Sequence, residues 1–239
     1  MTPLPRFFCE HVTVGRMPLP AEQSRHAVGS RRLHAGDPVV LFDGSGVQWP
    51  ATIAEIRRRG REVILTVGPP EAVDLEPVVA VTVATALPKG HRWHWLLEKC
   101  TELGAAAIRP VDCRRSIVRP EHAREDAWRR VCIAAAKQCG RNRLPALAGP
   151  AALQTVLSEW EGDLILIADA AGEPVAALAA AVLRPQRVLL LIGPEGGFTD
   201  PEREAVLAAG GRPVRLGATT LRTETAAAAL LAALLALWG

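Results

Sequence analysis

The chain has 239 residues, of which 49% are hydrophobic and 22% charged, with a formal net charge of +3. That supports one large domain or two small ones and excludes a disordered chain. The N-terminal MTPLPRFFCEH lacks the apolar stretch of a signal peptide, and residues 226–238, the most apolar segment, fall short of the roughly 18 residues that a membrane span requires. Cys9, Cys100, Cys113, Cys132 and Cys139 form no C-x-x-C pair, and no His/Cys cluster has zinc spacing. A cytoplasmic protein with reduced thiols, no metal and no membrane partner is the expectation.

The first 70 or so residues read as short strands with turns. DPVVLFDGSG (37–46) is a strand ending in a hairpin-like turn. WPATIAEI (49–56) and REVILTVG (61–68) are two more, joined through the basic RRRG. PPEAVDLEP (69–77) combines prolines and acids without periodicity and marks a boundary. A small β-rich domain, 1–72, is therefore expected before a larger domain, 73–239.

The larger domain alternates. VVAVTVATA (78–86) is a strand and KGHRWHWLLEKCTELG (89–104) a helix, with Trp93, Leu96, Leu97, Cys100 and Leu103 on one face and Gly104 as its C-cap. AAIRPV is a short strand. Residues 121–139 form a second amphipathic helix, with Trp128, Val131, Cys132, Ala135 and Cys139 on one face and Gly140 ending it. DLILIAD and RVLLLIG are buried strands separated by a weak helix, 173–182. A helix to about Ala209, a strand PVRLG and an Ala/Leu-rich helix complete an α/β domain with a mainly parallel sheet. The last helix, from Thr225 to Trp238, is apolar nearly all round, so it must be central or lie at an interface.

Within this domain LLLIGPEGGFTDPE (189–202) runs from a buried strand through a glycine turn into a helix start. Thr199 with Glu202 fits a capping box, and Pro201 suits a first helical turn. Such loops lie at the carboxyl edge of a parallel sheet, where ligands collect. The spacing is neither the dinucleotide fingerprint nor the P-loop, the loop holds no Lys or Arg, and Glu195 would repel a phosphate. It suits a phosphate-free ligand approached by bare backbone; a structural turn that uses positive-φ glycines is the alternative. VRLGATTLRTETAAAALLAALL (214–235) repeats the layout, with Thr223 expected to cap the helix and Glu224 in its first turn. Two such loops can form the two sides of one cleft. Arg222 and Glu224 stand between them as chemical groups or as a surface ion pair. Residues 87–145 hold 13 Lys/Arg against 6 Asp/Glu, a basic block that points to a polyanion, with solvated helix faces as the alternative.

LLLIGPEGGFTDPE and RLGATTLRTETAAAALL closely resemble the 16S rRNA uridine-N3 methyltransferases of the SPOUT class, as do ALPKGHRWHWLLEKCTELGAAAIRPVDCRRSIVR and AAKQCGRNRLP. HAVGSRRLHAGDPVVLFDGSG is similar to that family's PUA-like domain. The resemblance implies a small PUA-like β-barrel followed by a SPOUT α/β domain whose C-terminal trefoil knot holds S-adenosyl-L-methionine. It also implies a homodimer acting on 16S rRNA or the small ribosomal subunit. Carried over, the cofactor residues are Leu191, Ile192, Gly193, Pro194, Glu195, Gly196 and Gly197, with Leu216, Gly217, Leu221, Arg222 and Thr223 from the second loop. Arg222 is expected to stabilise charge on the uracil and Glu224 to act as base or to orient Arg222. Arg32, Lys89, Arg92, Lys99, Arg115, Arg119, Lys137, Arg141, Asn142 and Arg143 are the expected RNA contacts, with Lys137, Arg141 and Arg143 flanking a helix end that turns outward. Lys137-Gln138-Cys139-Gly140 departs from the family's Glu-Gln-Ser-Gly, and Ser30-Arg31-Arg32-Leu33 from a more apolar stretch. A non-catalytic RNA-binding assembly factor, or a related enzyme acting on another RNA, is the alternative reading.

Overall fold

The computed structural model describes residues 4–58, 61–118 and 125–239. They form two compact units: residues 1–76 with 136–144, and residues 77–135 with 145–239.

In the first unit, β1 (Arg6–Phe8) and β2 (Gly15–Pro18) precede a short helix, α1 (Ala21–Arg25), that widens into a π-helical turn over His26–Ser30. There follow β3 (Pro38–Phe42), β4 (Val47–Arg57), β5 (Glu62–Val67) and the two-residue β6 (Glu71–Ala72). The sheet order is β1-β3-β4-β5-β2, with β6 on β4; only the β1–β3 pairing is parallel. The expected β3–β4 hairpin forms, and Gly44 and Gly46 take φ of 90° and 106° in its turn. Phe7, Val39, Leu41, Ile53, Val63 and Leu65 form the core. The helix over 21–30 was not legible as a strand-and-turn pattern. Its buried Ser24 is satisfied by donating to Leu19 O at 2.9 Å and accepting from Val63 N at 3.3 Å.

The second unit begins with β7 (Ala80–Thr85), α2 (Arg92–Leu103), β8 (Ala107–Asp112) and α3 (Glu125–Cys139), whose last turn belongs to the first unit. β9 (Ala146–Leu147), β10 (Ala151–Ala152), α4 (Leu153–Ser158) and β11 (Leu164–Pro174) come next. After a 3-10 turn over 175–177 follow α5 (Leu178–Ala181), β12 (Arg187–Ile192), α6 (Asp200–Ala208), β13 (Arg212–Arg215) and α7 (Thr223–Trp238). All pairings are parallel, in the order β10-β8-β7-β12-β11-β13, with β9 also on β8. β12 is inserted between β7 and β11, and its VLLLI run is buried throughout, as a strand covered on both faces must be.

Trp93, Leu96, Leu97 and Cys100 of α2 are buried as their spacing required, while Leu103 is only half-buried. Gly104 closes the helix at φ 96°, where an added Cβ would stand 2.6 Å from Pro77 Cγ. Trp93 meets Trp128 of α3 edge to face, with centroids 5.1 Å apart. Two expectations are corrected. Cys139 is exposed rather than on the apolar face, because it lies in the last turn of its helix. Glu173 and Pro174 extend β11 instead of opening a helix, since both pair with β13 after a register shift at Ala168. That shift makes residues 169–172 a bulge in β11.

Candidate functional site

The bulge of β11 and the carboxyl ends of β12 and β13 open onto one cavity of about 600 Å³. One wall is the β11 bulge, Ala168–Ala171; a second is Gly193–Phe198; the third is Leu216, Gly217 and Thr219–Leu221. Ile167, Ile192, Val214 and Leu230 supply apolar lining. The glycine turn closes through Gly197 N donating to Pro194 O at 2.8 Å, with Gly197 at φ 69°. A Cβ on Gly193 would stand 3.0 Å from the Phe198 ring. Arg115, which also lines the cavity, braces the turn, its Nη1 donating to Gly196 O at 2.8 Å.

Below the turn the Thr199–Glu202 capping box is complete. The Glu202 carboxylate accepts from Thr199 N at 2.8 Å, Thr199 Oγ1 at 2.7 Å and Arg114 N at 2.7 Å. Burial acts to raise this carboxyl, but the hydrogen bonds together outweigh it and hold it below the usual range. Asp169, in the bulge, is governed the same way. Burial opposes ionisation, and bonds from Ala171 N and Arg203 Nε prevail. Burial pushes the Cys100 and Cys113 thiols up to about 12, so neither is an activated nucleophile.

Ten of the expected cofactor residues line the cavity: Ile192, Gly193, Pro194, Glu195, Gly196, Gly197, Leu216, Gly217, Leu221 and Thr223. Leu191 is buried in the strand behind it, and Arg222 is exposed outside the lining. The Asp169 wall, Phe198 and Arg203 were missed. Their one signal was that DLILIAD ends, like β12, at a carboxyl edge. Thr223 does not cap α7: Arg222 holds the N-cap position, and the Thr223 hydroxyl donates to Gly193 O at 3.1 Å, tying the helix to the first loop. Nor do Arg222 and Glu224 pair among the described residues. Glu224 Oε1 instead faces Arg92 Nε at 3.6 Å, and Arg92 Nη1 lies 3.7 Å from Glu195 Oε1.

The other basic residues divide by exposure. Arg32, Lys89, Arg115 and Arg143 are exposed, and Arg119 lies outside the described residues. Lys99 is held by Glu98 and Glu102 at 2.8 and 2.9 Å. Within the first unit Lys137 donates to Gln23 at 2.9 Å, and Asn142 accepts from Arg6. Arg141, only 4% exposed, donates to Glu76 at 3.0 Å. The chain after Gly140 therefore buries Arg141 instead of turning it outward, because a nearby carboxylate compensates its charge.

A parallel sheet whose carboxyl-edge loops make a backbone-lined pocket, joined to a small β-rich unit, defines an α/β ligand-binding protein of two-unit design. The chain belongs to the family described as RNA methyltransferase domain, whose model matches residues 75–235; an RNA methyltransferase PUA domain matches residues 19–65. It is 32% identical over 210 residues to ribosomal RNA small subunit methyltransferase E of Synechocystis sp., covering 86% of this chain and 68% of that one. To the Mycobacterium tuberculosis protein of the same name it is 34% identical over 229 residues, covering 89% and 83%. A crystal structure of ribosomal RNA small subunit methyltransferase E from Neisseria gonorrhoeae, bound to S-adenosyl methionine, superposes with a TM-score of 0.86 at 29% identity over 98% of both chains.

Proposed function

We propose that this protein methylates N3 of a uridine in 16S ribosomal RNA of the small subunit, using S-adenosyl-L-methionine. We also propose that it works as a cytoplasmic homodimer. The observation that carries the reading is the cavity at the bulge of β11 and the ends of β12 and β13, walled by glycine loops. Its residues fit the cofactor. About 600 Å³ suits a nucleoside-sized ligand, Gly193–Gly197 offers bare backbone and contains no Lys or Arg of its own, and Glu195 suits a positively charged sulfonium. The three loops are read as a trefoil knot, and the first unit as a PUA-like barrel that binds RNA.

When bound, S-adenosylmethionine supplies an already activated methyl group. The protein's part is then alignment and removal of the N3 proton. Gly193, Pro194, Gly196, Gly197, Leu216, Gly217 and Leu221 hold the cofactor, with Leu191, Ile192 and Thr223 supporting them. Arg222 stabilises charge developing on the uracil oxygens, and Glu224 accepts or directs the proton. N3 is hidden in a base pair, so the target base must be unpaired or extruded. Phosphate contacts fall to Arg32, Lys89, Arg115, Arg119 and Arg143, while Arg92, Lys99, Lys137, Arg141 and Asn142 shape the surface that bears them.

Calorimetry with S-adenosylmethionine, followed by methyl transfer to 16S rRNA and to small subunits, tests the proposal. Binding without transfer to either substrate would leave an RNA-binding assembly factor.

A further inference from the structure

We infer that Arg92 is a positioning residue for methyl transfer, a cation that holds Glu195 of the first cofactor loop and Glu224 of α7 as one unit. The inference rests on the reading of the cavity as a methyltransferase site. Three segments far apart in sequence meet at this guanidinium: the start of α2, the glycine turn and the start of α7. Nη1 stands 3.7 Å from Glu195 Oε1 and Nε 3.6 Å from Glu224 Oε1. Both separations exceed hydrogen-bond length, so Arg92 attracts the two carboxylates by charge and is locked to neither.

Glu224 has most need of this partner. Its side chain is 10% exposed, and its Oε2 is buried without a hydrogen-bond partner among the described residues. An ionised carboxylate so placed is costly unless a cation compensates it, and Arg92 is the one cation paired with it among the described residues. Glu195 lines the cavity and Glu224 does not, so Arg92 links the cofactor wall to the proposed proton acceptor. Two carboxylates sharing this space would repel each other without it. Arg92 thus acts on the wall through Glu195 and on the chemistry through Glu224. It is not one more phosphate contact of the basic block.

The test compares wild type, Arg92→Ala, Arg92→Lys, Glu224→Gln and the double variant Arg92→Ala/Glu224→Gln. Each is checked for native circular dichroism. Two quantities are read: single-turnover methylation at saturating RNA and cofactor, and S-adenosylmethionine affinity by calorimetry. Arg92→Ala should lower the saturated rate about tenfold or more with RNA affinity nearly kept, and Arg92→Lys should recover part of it. The double variant should be no slower than the slower single variant, because both changes disable one unit. A normal saturated rate in Arg92→Ala, fully multiplicative losses in the double, or a loss confined to RNA affinity would each overturn the inference. Should the wild type bind cofactor yet methylate nothing, the function proposal fails separately. Unchanged cofactor affinity in Arg92→Ala would then overturn the link through Glu195. A wild type that neither binds nor methylates removes both.

Discussion

The glycines of the first loop do different work. Gly193 lies under the Phe198 ring and Gly196 beside Arg115, whereas a Cβ on Gly197 would meet nothing within 4 Å. Gly197 is needed for its backbone, at φ 69°, where a β-branched residue is strained by about 1–3 kcal/mol. Gly197→Val should therefore displace the turn and abolish S-adenosylmethionine binding while the fold survives; calorimetry with circular dichroism checks this, and wild-type affinity in the folded variant would contradict it. Glu202 offers a pH test. Its folded-state pKa is depressed, so its stabilisation is complete above the unfolded value and is lost as the pH falls below the ordinary 4.5 and through the folded value. Glu202→Gln should cost about 1–2 kcal/mol at neutral pH, and urea melts should show the gap to wild type closing in acid. The capping box was legible because Thr-x-x-Glu is a local signal. The Arg92–Glu224 pair was not, since Arg222 is nearer in sequence and only the packing of α2 beside α7 brings Arg92 there.

Strands buried on both faces were easiest to read. β12 and the first half of β11 leave continuous apolar runs, β7 a run interrupted by threonine, and the hydrophobic spacing of α2 fixed its core face. The short elements were not legible, because α1, β6, β9 and β10 span five residues or fewer and carry no period. The pocket wall formed by the β11 bulge was hidden for another reason. Its ADAAGE sequence has no apolar pattern, and its place follows from a register shift that depends on β13. Trp93 is the anchor of α2 against α3, 6% exposed and edge-on to Trp128. Trp93→Ala should destabilise the second unit by about 3–5 kcal/mol, seen as a lower urea midpoint. On α7, Leu230, Leu231 and Leu234 are buried, while Ala228, Ala229, Ala232, Ala233, Leu235 and Leu237 remain partly exposed. A helix so apolar with one side only partly covered supports the proposed homodimer. Sedimentation should give a dimer at micromolar concentration; a fully active monomer would refute that.

Across the molecule, charge is separated by region: residues 87–145 carry an excess of seven positive charges, leaving the rest of the chain slightly acidic. Part of that excess is already compensated by acids outside the block, at Arg92 and Arg141, while Lys99 is paired within it. Exposed Lys89, Arg115 and Arg143 remain as the stronger candidates for counterion release on RNA. Replacing Lys89 and Arg143 by alanine should weaken RNA binding and flatten its salt dependence, with the rate at saturating RNA largely kept. The most direct test of the central claim is to map methylated nucleosides in 16S rRNA after incubating the protein with unmodified small subunits, or with free rRNA, and S-adenosylmethionine. A single N3-methyluridine that is absent without the protein is the expected result. Cofactor binding with no methylated nucleoside, or a methyl group on a ribose hydroxyl or another base, would contradict it.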